Sequence, residues 1–134
     1  KETGLLASWV QQAAFTPPMV TVAVNAKRYL HDWLTERPVL ALSQVADKQT
    51  GLLKHFGAGF GPDEPAFNDM PVTRGETRLP LLTEALCWME GVVRGKLETG
   101  DHVIYVIEVL HAARGPQFDT TTPYVHTRKN GLRY

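Results

Sequence analysis

The chain has 134 residues, in which fourteen lysines and arginines balance fourteen aspartates and glutamates, and a single cysteine, Cys87. That length is about one domain, able to bury a real core but small enough that a flat cofactor would call on a second subunit to cover it. Balanced charge offers no basic stripe for nucleic acid, one cysteine excludes an internal disulfide or a multi-cysteine metal site, and no apolar run approaches the about 20 residues of a membrane helix. Nothing at the start reads as a signal peptide, and Lys1 fits either processing or a segment of a longer polypeptide.

The opening, Gly4 to Val24 (GLLASWVQQAAFTPPMVTVAV), joins two apolar strand-like runs through a hydroxyl- and amide-bearing stretch that ends at Pro17-Pro18. Two prolines cannot continue a central ladder, so Ser8, Gln11, Gln12 and Thr16 are free to face a ligand; an edge strand, a turn and a core strand is the plainer reading. Met19 to Asn25, short and rich in β-branched residues, predicts a strand buried on both faces. Ala26 to Glu36 turns helical, with Asn25 as N-cap, Tyr29, Leu30, Trp33 and Leu34 on one face, and Pro38 as the stop. Val39 to Val45 predicts a second buried strand and Lys48 to Phe56 a short helix with Leu52, Leu53 and Phe56 inward. The proline-broken run from Gly61 to Pro80 predicts a long surface excursion.

Two long strands follow, Leu86 to Leu97 and His102 to Ala112, joined at Glu98-Thr99-Gly100-Asp101 as a hairpin with a type I′ turn. Tyr124 to Tyr134 predicts a last strand and a turn. Strands dominate without regular strand–helix alternation, so the economical architecture is mostly β: an antiparallel barrel with two or three short helices.

No dinucleotide fingerprint, phosphate loop, zinc-protease or serine-hydrolase motif is present, and none of His31, His55, His102, His111 and His126 has a partner at metal spacing. Cys87, among apolar neighbours, reads as core rather than nucleophile. Glu90 and Glu108 read as a salt bridge with Arg94 or a solvated face before an acid–base pair. Gly100-Asp101-His102 sets a carboxylate and an imidazole at a strand's mouth after a permissive glycine, the alternative being a satisfied turn. His126 and Arg128, two apart, share a face of the last strand, where they meet an anion or form a polar edge.

The ordered segments GLLASWVQQAAFTPPMVTVAV, LLKHFGAGFGPDEPAFNDM, PLLTEALCWMEGVVRGKLETGDHVIYVIEV and HTRKNGLRY together resemble the FMN-binding split-barrel flavin reductase family. Within it the chain is most similar to the flavin reductase domain at the C-terminal end of the flavodiiron (diflavin) proteins of oxygenic phototrophs. The resemblance runs through most of the chain, read as one domain over residues 1–134, and implies an antiparallel, Greek-key split β-barrel. It implies FMN as cofactor, NAD(P)H as hydride donor, and a homodimer, or a heterodimer with a related subunit, whose flavin sites lie near the interface. Cytoplasm, or chloroplast stroma in a plant or alga, is the implied compartment.

By position, the resemblance makes Ala7, Ser8 and Trp9 the flavin-contacting strand, with Gln11, Gln12 and Pro18 at the polar bend. Lys54, His55 and Phe56 fall on the phosphate side, Gly100 and Asp101 at the nucleotide-binding triplet with His102 as the catalytic residue, and His126 with Arg128 as the closing polar pair. FMN needs cations or N–H donors at its phosphate, donors at the ring edge and an apolar plate, which these residue types supply. The chain departs from the family at Ala14 and Ala41, where a serine and an asparagine are usual, and it begins after the family's usual first strand. The implied activity is an FMN-dependent NAD(P)H oxidoreductase that passes electrons to a flavodiiron module reducing oxygen to water. The alternatives are a free-standing reductase supplying reduced flavin to a monooxygenase, and a non-catalytic flavin-binding or dimerisation module.

Overall fold

Alternating valines set the centre of the fold. In β2 (Met19–Asn25) Val20, Val22 and Val24 point inward, and β7 (His102–Arg114) answers with Ile107, Tyr105 and Val103 at directly opposite positions. This block of cross-strand pairs, closed by Leu34, is the main core. A computed structural model describes residues 1–127 of the chain. Around the β2–β7 pair run β1 (Val10–Ala14), β3 (Val39–Gln44) and β6 (Cys87–Glu98), in the order β1-β2-β7-β6-β3 with every neighbour antiparallel. A separate hairpin, β4 (Val72–Arg74) with β5 (Pro80–Leu82), follows β3 in sequence and touches it where the Leu82 amide donates to Ser43 Oγ at 3.4 Å. With the helices α1 (Leu30–Glu36) and α2 (Thr50–Gly57), this is the mostly β, antiparallel split barrel.

Several expectations change. β2 is buried on one face only, because Met19, Thr21 and Ala23 alternate with the core valines and stay partly exposed. α1 starts at Leu30 rather than Ala26. Asn25 caps a turn instead of the helix, accepting the Lys27 amide on Oδ1 at 3.0 Å and the Arg28 amide on its carbonyl at 3.1 Å. The helix does end before Pro38, with Arg37 extended. α2 spans Thr50–Gly57, its Phe56 buried as expected.

The stretch after α2 is not a simple surface excursion. Ala66 is 1% exposed, and Phe60, Phe67, Met70 and Val72 pack with Phe56, Leu82, Ala85 and Trp88 into a second core. Apolar residues gathered by turns and a short hairpin show no helix or strand period, which is why the sequence pattern hides them. Beyond β7, Ala46 and Pro123 make one isolated antiparallel bridge, and Tyr124 donates to the Val45 carbonyl, but Tyr124 to Thr127 form no strand. The rest of the expected last strand lies outside the described residues.

Candidate functional site

β1 is an edge strand, and nothing described covers it: Ser8 to Ala13 are exposed without alternation. Its ladder to β2 shifts register between Gln12 and Ala14, a bulge immediately before the turn at Phe15 to Pro18. The Thr16–Pro17 peptide is cis, and the Pro18 carbonyl accepts the Val109 amide at 2.9 Å, fixing the far side of the bend to β7. Gln11 and Gln12 therefore lie on an open strand, with Ser8 exposed just before it and Ala7 half-buried against the main core.

At the opposite end of β2, Asn25 pairs with His102 and the Ala26 amide donates to the Asp101 carbonyl at 2.9 Å. These ties hold the β6–β7 turn. Asp101 has no positive φ, so the turn is not the expected type I′, which needs φ > 0 at both central residues. It closes instead through the Thr99 amide and hydroxyl, both donating to the His102 carbonyl at 2.9 Å. His102 Nδ1 lies 2.7 Å from Asp101 Oδ1; a carboxylate only accepts, so Nδ1 carries the hydrogen and Nε2 has no partner among the described residues. The hydrogen bond from His102, then its charge, hold the Asp101 carboxyl below its ordinary value. The Trp9 ring lies 4.5 Å from the imidazole, tilted by 38°. Two candidates from opposite ends of the sequence thus form one aromatic wall beside β1.

The run from Gly4 to Leu6 carries the chain from α2 to that wall: the Phe56 ring packs on Gly4, and Leu6 lies near Gly57. Lys54 and His55 line an open hollow of about 470 Å³ with Gly51, Ala58, Gly59 and Phe60. His55 Nε2 donates to the Ala66 carbonyl at 2.9 Å, and its ring meets those of Phe56 and Phe60. Phe56 itself is 7% exposed and belongs to the second core, so its ring supports the turn rather than lining the hollow. Arg28 was missed by sequence reading. Gly59 has φ +79°, and a Cβ there would stand 2.8 Å from the Arg28 guanidinium, which thus lies across the hollow's glycine edge. Neither Arg28 nor Lys54 has an ion-pair partner among the described residues.

Other candidates take structural places. Glu108 pairs with Arg94 as expected, but Glu90 does not: it is 5% exposed and accepts from the Glu76 amide, the Thr77 amide and the Thr77 hydroxyl. The Cys87 thiol is half-buried and reaches Gln44 Oε1 at 3.2 Å, and burial pushes its pKa up, away from a reactive thiolate. His126 is exposed and outside any strand, and Arg128 lies outside the described residues.

This antiparallel split barrel with an open edge strand has counterparts among known proteins. The chain belongs to the flavin reductase like domain family, whose model matches residues 1–132. It is 37% identical over 134 residues to a Synechocystis sp. homologue, diflavin flavoprotein A 3, covering 98% of this chain and 22% of that protein. It is 34% identical over 132 residues to diflavin flavoprotein A 1 of the same organism, covering 97% and 22%. The chain thus spans under a quarter of the length of these curated relatives. Among solved structures it is similar to the NADH:FAD oxidoreductase SgcE6 of Streptomyces globisporus, with a TM-score of 0.81 and 28% identity over 90% of this chain and 71% of that one. BorF, the flavin reductase component of a bacterial two-component tryptophan halogenase, shares the fold, at a TM-score of 0.75 and 24% identity over 90% and 82% of the two chains. Among the described residues no helix is long and apolar enough to cross a membrane.

Proposed function

We propose that this domain is an FMN-dependent NAD(P)H:flavin oxidoreductase that passes electrons to a flavodiiron module reducing oxygen to water. The observation that supports it most is the Trp9–His102 wall at the end of an edge strand exposed on both faces, in a chain whose curated relatives are diflavin flavoproteins. The residues present fit FMN: Lys54 lines the hollow and Arg28 lies against its Gly59, neither with an ion-pair partner among the described residues, the side chains of Ser8, Gln11 and Gln12 have no hydrogen-bond partner among the described residues, and Trp9 presents a half-exposed indole.

When bound, FMN supplies the hydride acceptor and NAD(P)H the hydride. Lys54 and Arg28 would hold the phosphate, and Ser8, Gln11 and Gln12 would donate to the ring edge, while Trp9 gives it an apolar plate. His102, its imidazole fixed by Asp101, would orient the nicotinamide. Such chemistry asks little proton transfer of the protein and much positioning. The reading includes a dimer, homo- or heteromeric, that covers the exposed β1 and with it Trp9 and Phe15, and a compartment supplying NAD(P)H, cytoplasm or stroma.

Anaerobic mixing of the protein with FMN and NADPH is expected to bleach the flavin absorbance; bleaching no faster than the flavin-only control would leave a non-catalytic flavin-binding module. His102→Ala is expected to slow reduction by NAD(P)H at least about tenfold, the loss of one oriented contact to a reacting group, with FMN affinity held within about twofold. Stopped-flow reduction and flavin titration read the two, and equal losses in both would refute the role of His102.

A further inference from the structure

Asn25 ends β2 directly opposite His102, and its backbone carbonyl is a meeting point. It accepts the Arg28 amide at 3.1 Å and faces His31 Nε2 at 2.9 Å. A carbonyl only accepts, so Nε2 carries a hydrogen, and Nδ1 forms a hydrogen bond with the Tyr105 hydroxyl at 2.6 Å. The two rings also stack, with centroids 5.7 Å apart and planes 18° from parallel.

Tyr105 is 3% exposed and lies in β7 three residues beyond His102, hence on the opposite, core-facing side of the strand. Burial, followed by the charges of Asp32 and Glu98, pushes its pKa up and keeps it a donor. His31 belongs to α1, which no backbone ladder joins to the sheet. A single side chain on α1 therefore connects the core at Tyr105 to the strand end at Asn25. From there the Ala26–Asp101 hydrogen bond and the Asn25–His102 pairing lead to the imidazole on the other face.

We propose that His31 is a positioning residue for His102: by clamping the Asn25 carbonyl to the core through Tyr105, it fixes the strand end against which the Asp101-His102 turn is set. The inference rests on the role given to His102 above. Two measurements keep their failures apart. The first is the split between kinetic constants and cofactor binding. In His31→Ala and Tyr105→Phe, reduction by NADPH is expected to slow about fivefold, the worth of one hydrogen bond, with FMN affinity within about twofold of wild type. His31→Gln, whose amide can still donate to the Asn25 carbonyl, is expected to recover part of the loss.

The second measurement is independent of turnover: amide hydrogen exchange at Ala26 is expected to quicken about fivefold in His31→Ala, with amides in the middle of β2 unchanged. Exchange rising equally at Ala26 and mid-β2 would show a general loss of stability and overturn the positioning role. Wild-type reduction in His31→Ala alongside slow reduction in His102→Ala would overturn the role of His31 alone. Wild-type reduction in His102→Ala would overturn the parent assignment, leaving exchange at Ala26 to decide whether the clamp exists.

Discussion

Lys54 lines the glycine-edged hollow from α2, and the Arg28 guanidinium, from the turn before α1, lies against Gly59 at its edge. Removing either charge, in Lys54→Ala or Arg28→Ala, is expected to weaken FMN binding on the order of tenfold, the worth of one charge-assisted hydrogen bond, and to flatten its salt dependence, as flavin titration at two ionic strengths would read. Riboflavin, which lacks the phosphate, should bind both variants as it binds wild type, and a parallel loss with riboflavin would place these cations elsewhere. Lys54 was legible in the sequence because it stands between inward-facing residues on a short helix. Arg28 was not, since its role depends on a left-handed glycine thirty-one positions later, and no spacing rule links the two. Phe56, adjacent to two candidates in sequence, turns its ring into the core, as its place on the inward face of α2 suggested.

The β4–β5 hairpin hangs on one carboxylate. Glu90 reaches across from β6 to hold the Glu76 and Thr77 amides and the Thr77 hydroxyl, the Arg37 guanidinium binds the Thr77 carbonyl at 2.6 Å, and Gly75 leaves room for the carboxylate where any Cβ would overlap it. Gly75→Ala is expected to cost about 1–3 kcal/mol by forcing that carboxylate aside. Glu90→Gln should cost a similar about 1–3 kcal/mol by setting its NH2 against one of the two backbone N–H groups. Denaturant unfolding would measure both, and a neutral Gly75→Ala would mean that the turn is not held this way. This is the element that sequence patterning missed. The long strands and their hairpin were legible because valine and isoleucine recur there over many residues, whereas the pairing of β2 with β7 was not read from the sequence. A three-residue hairpin between prolines has too few residues to show a period, and the carboxylate that organises it sits in an apolar strand where it reads as an interruption. The same limit displaced the start of α1, where Asn25 bonds its own turn and the helix begins four residues later than its composition suggested.

Over the whole molecule the shifted groups bracket neutral pH. For Glu90, burial opposes ionisation, but the Thr77 hydroxyl and the Thr77 and Glu76 amides outweigh it, and the Arg74 guanidinium does the same for Glu2, so both carboxyls fall below their ordinary 4.5. A carboxyl with a depressed native pKa adds stability that is complete above its unfolded value and lost as pH falls through the native one. Cys87 and Tyr105 are raised above 9.0 and 10.0 by burial, and their contribution is complete below those values and lost as pH rises past them. Stability is therefore expected to be flat between about pH 4.5 and 9 and to fall on either side, which unfolding midpoints across the range would check. A midpoint still rising above pH 9 would contradict the upward shifts of half-buried Cys87 and buried Tyr105. The openness of β1 has its own consequence for handling the protein. A strand joined to the rest on one edge, and wet on both faces until a partner subunit covers it, peels first, so in the cofactor-free monomer the earliest protease cuts should fall between Ser8 and Phe15. Saturating FMN should delay those cuts and no others, making the digestion pattern a record of whether each purified molecule carries its flavin.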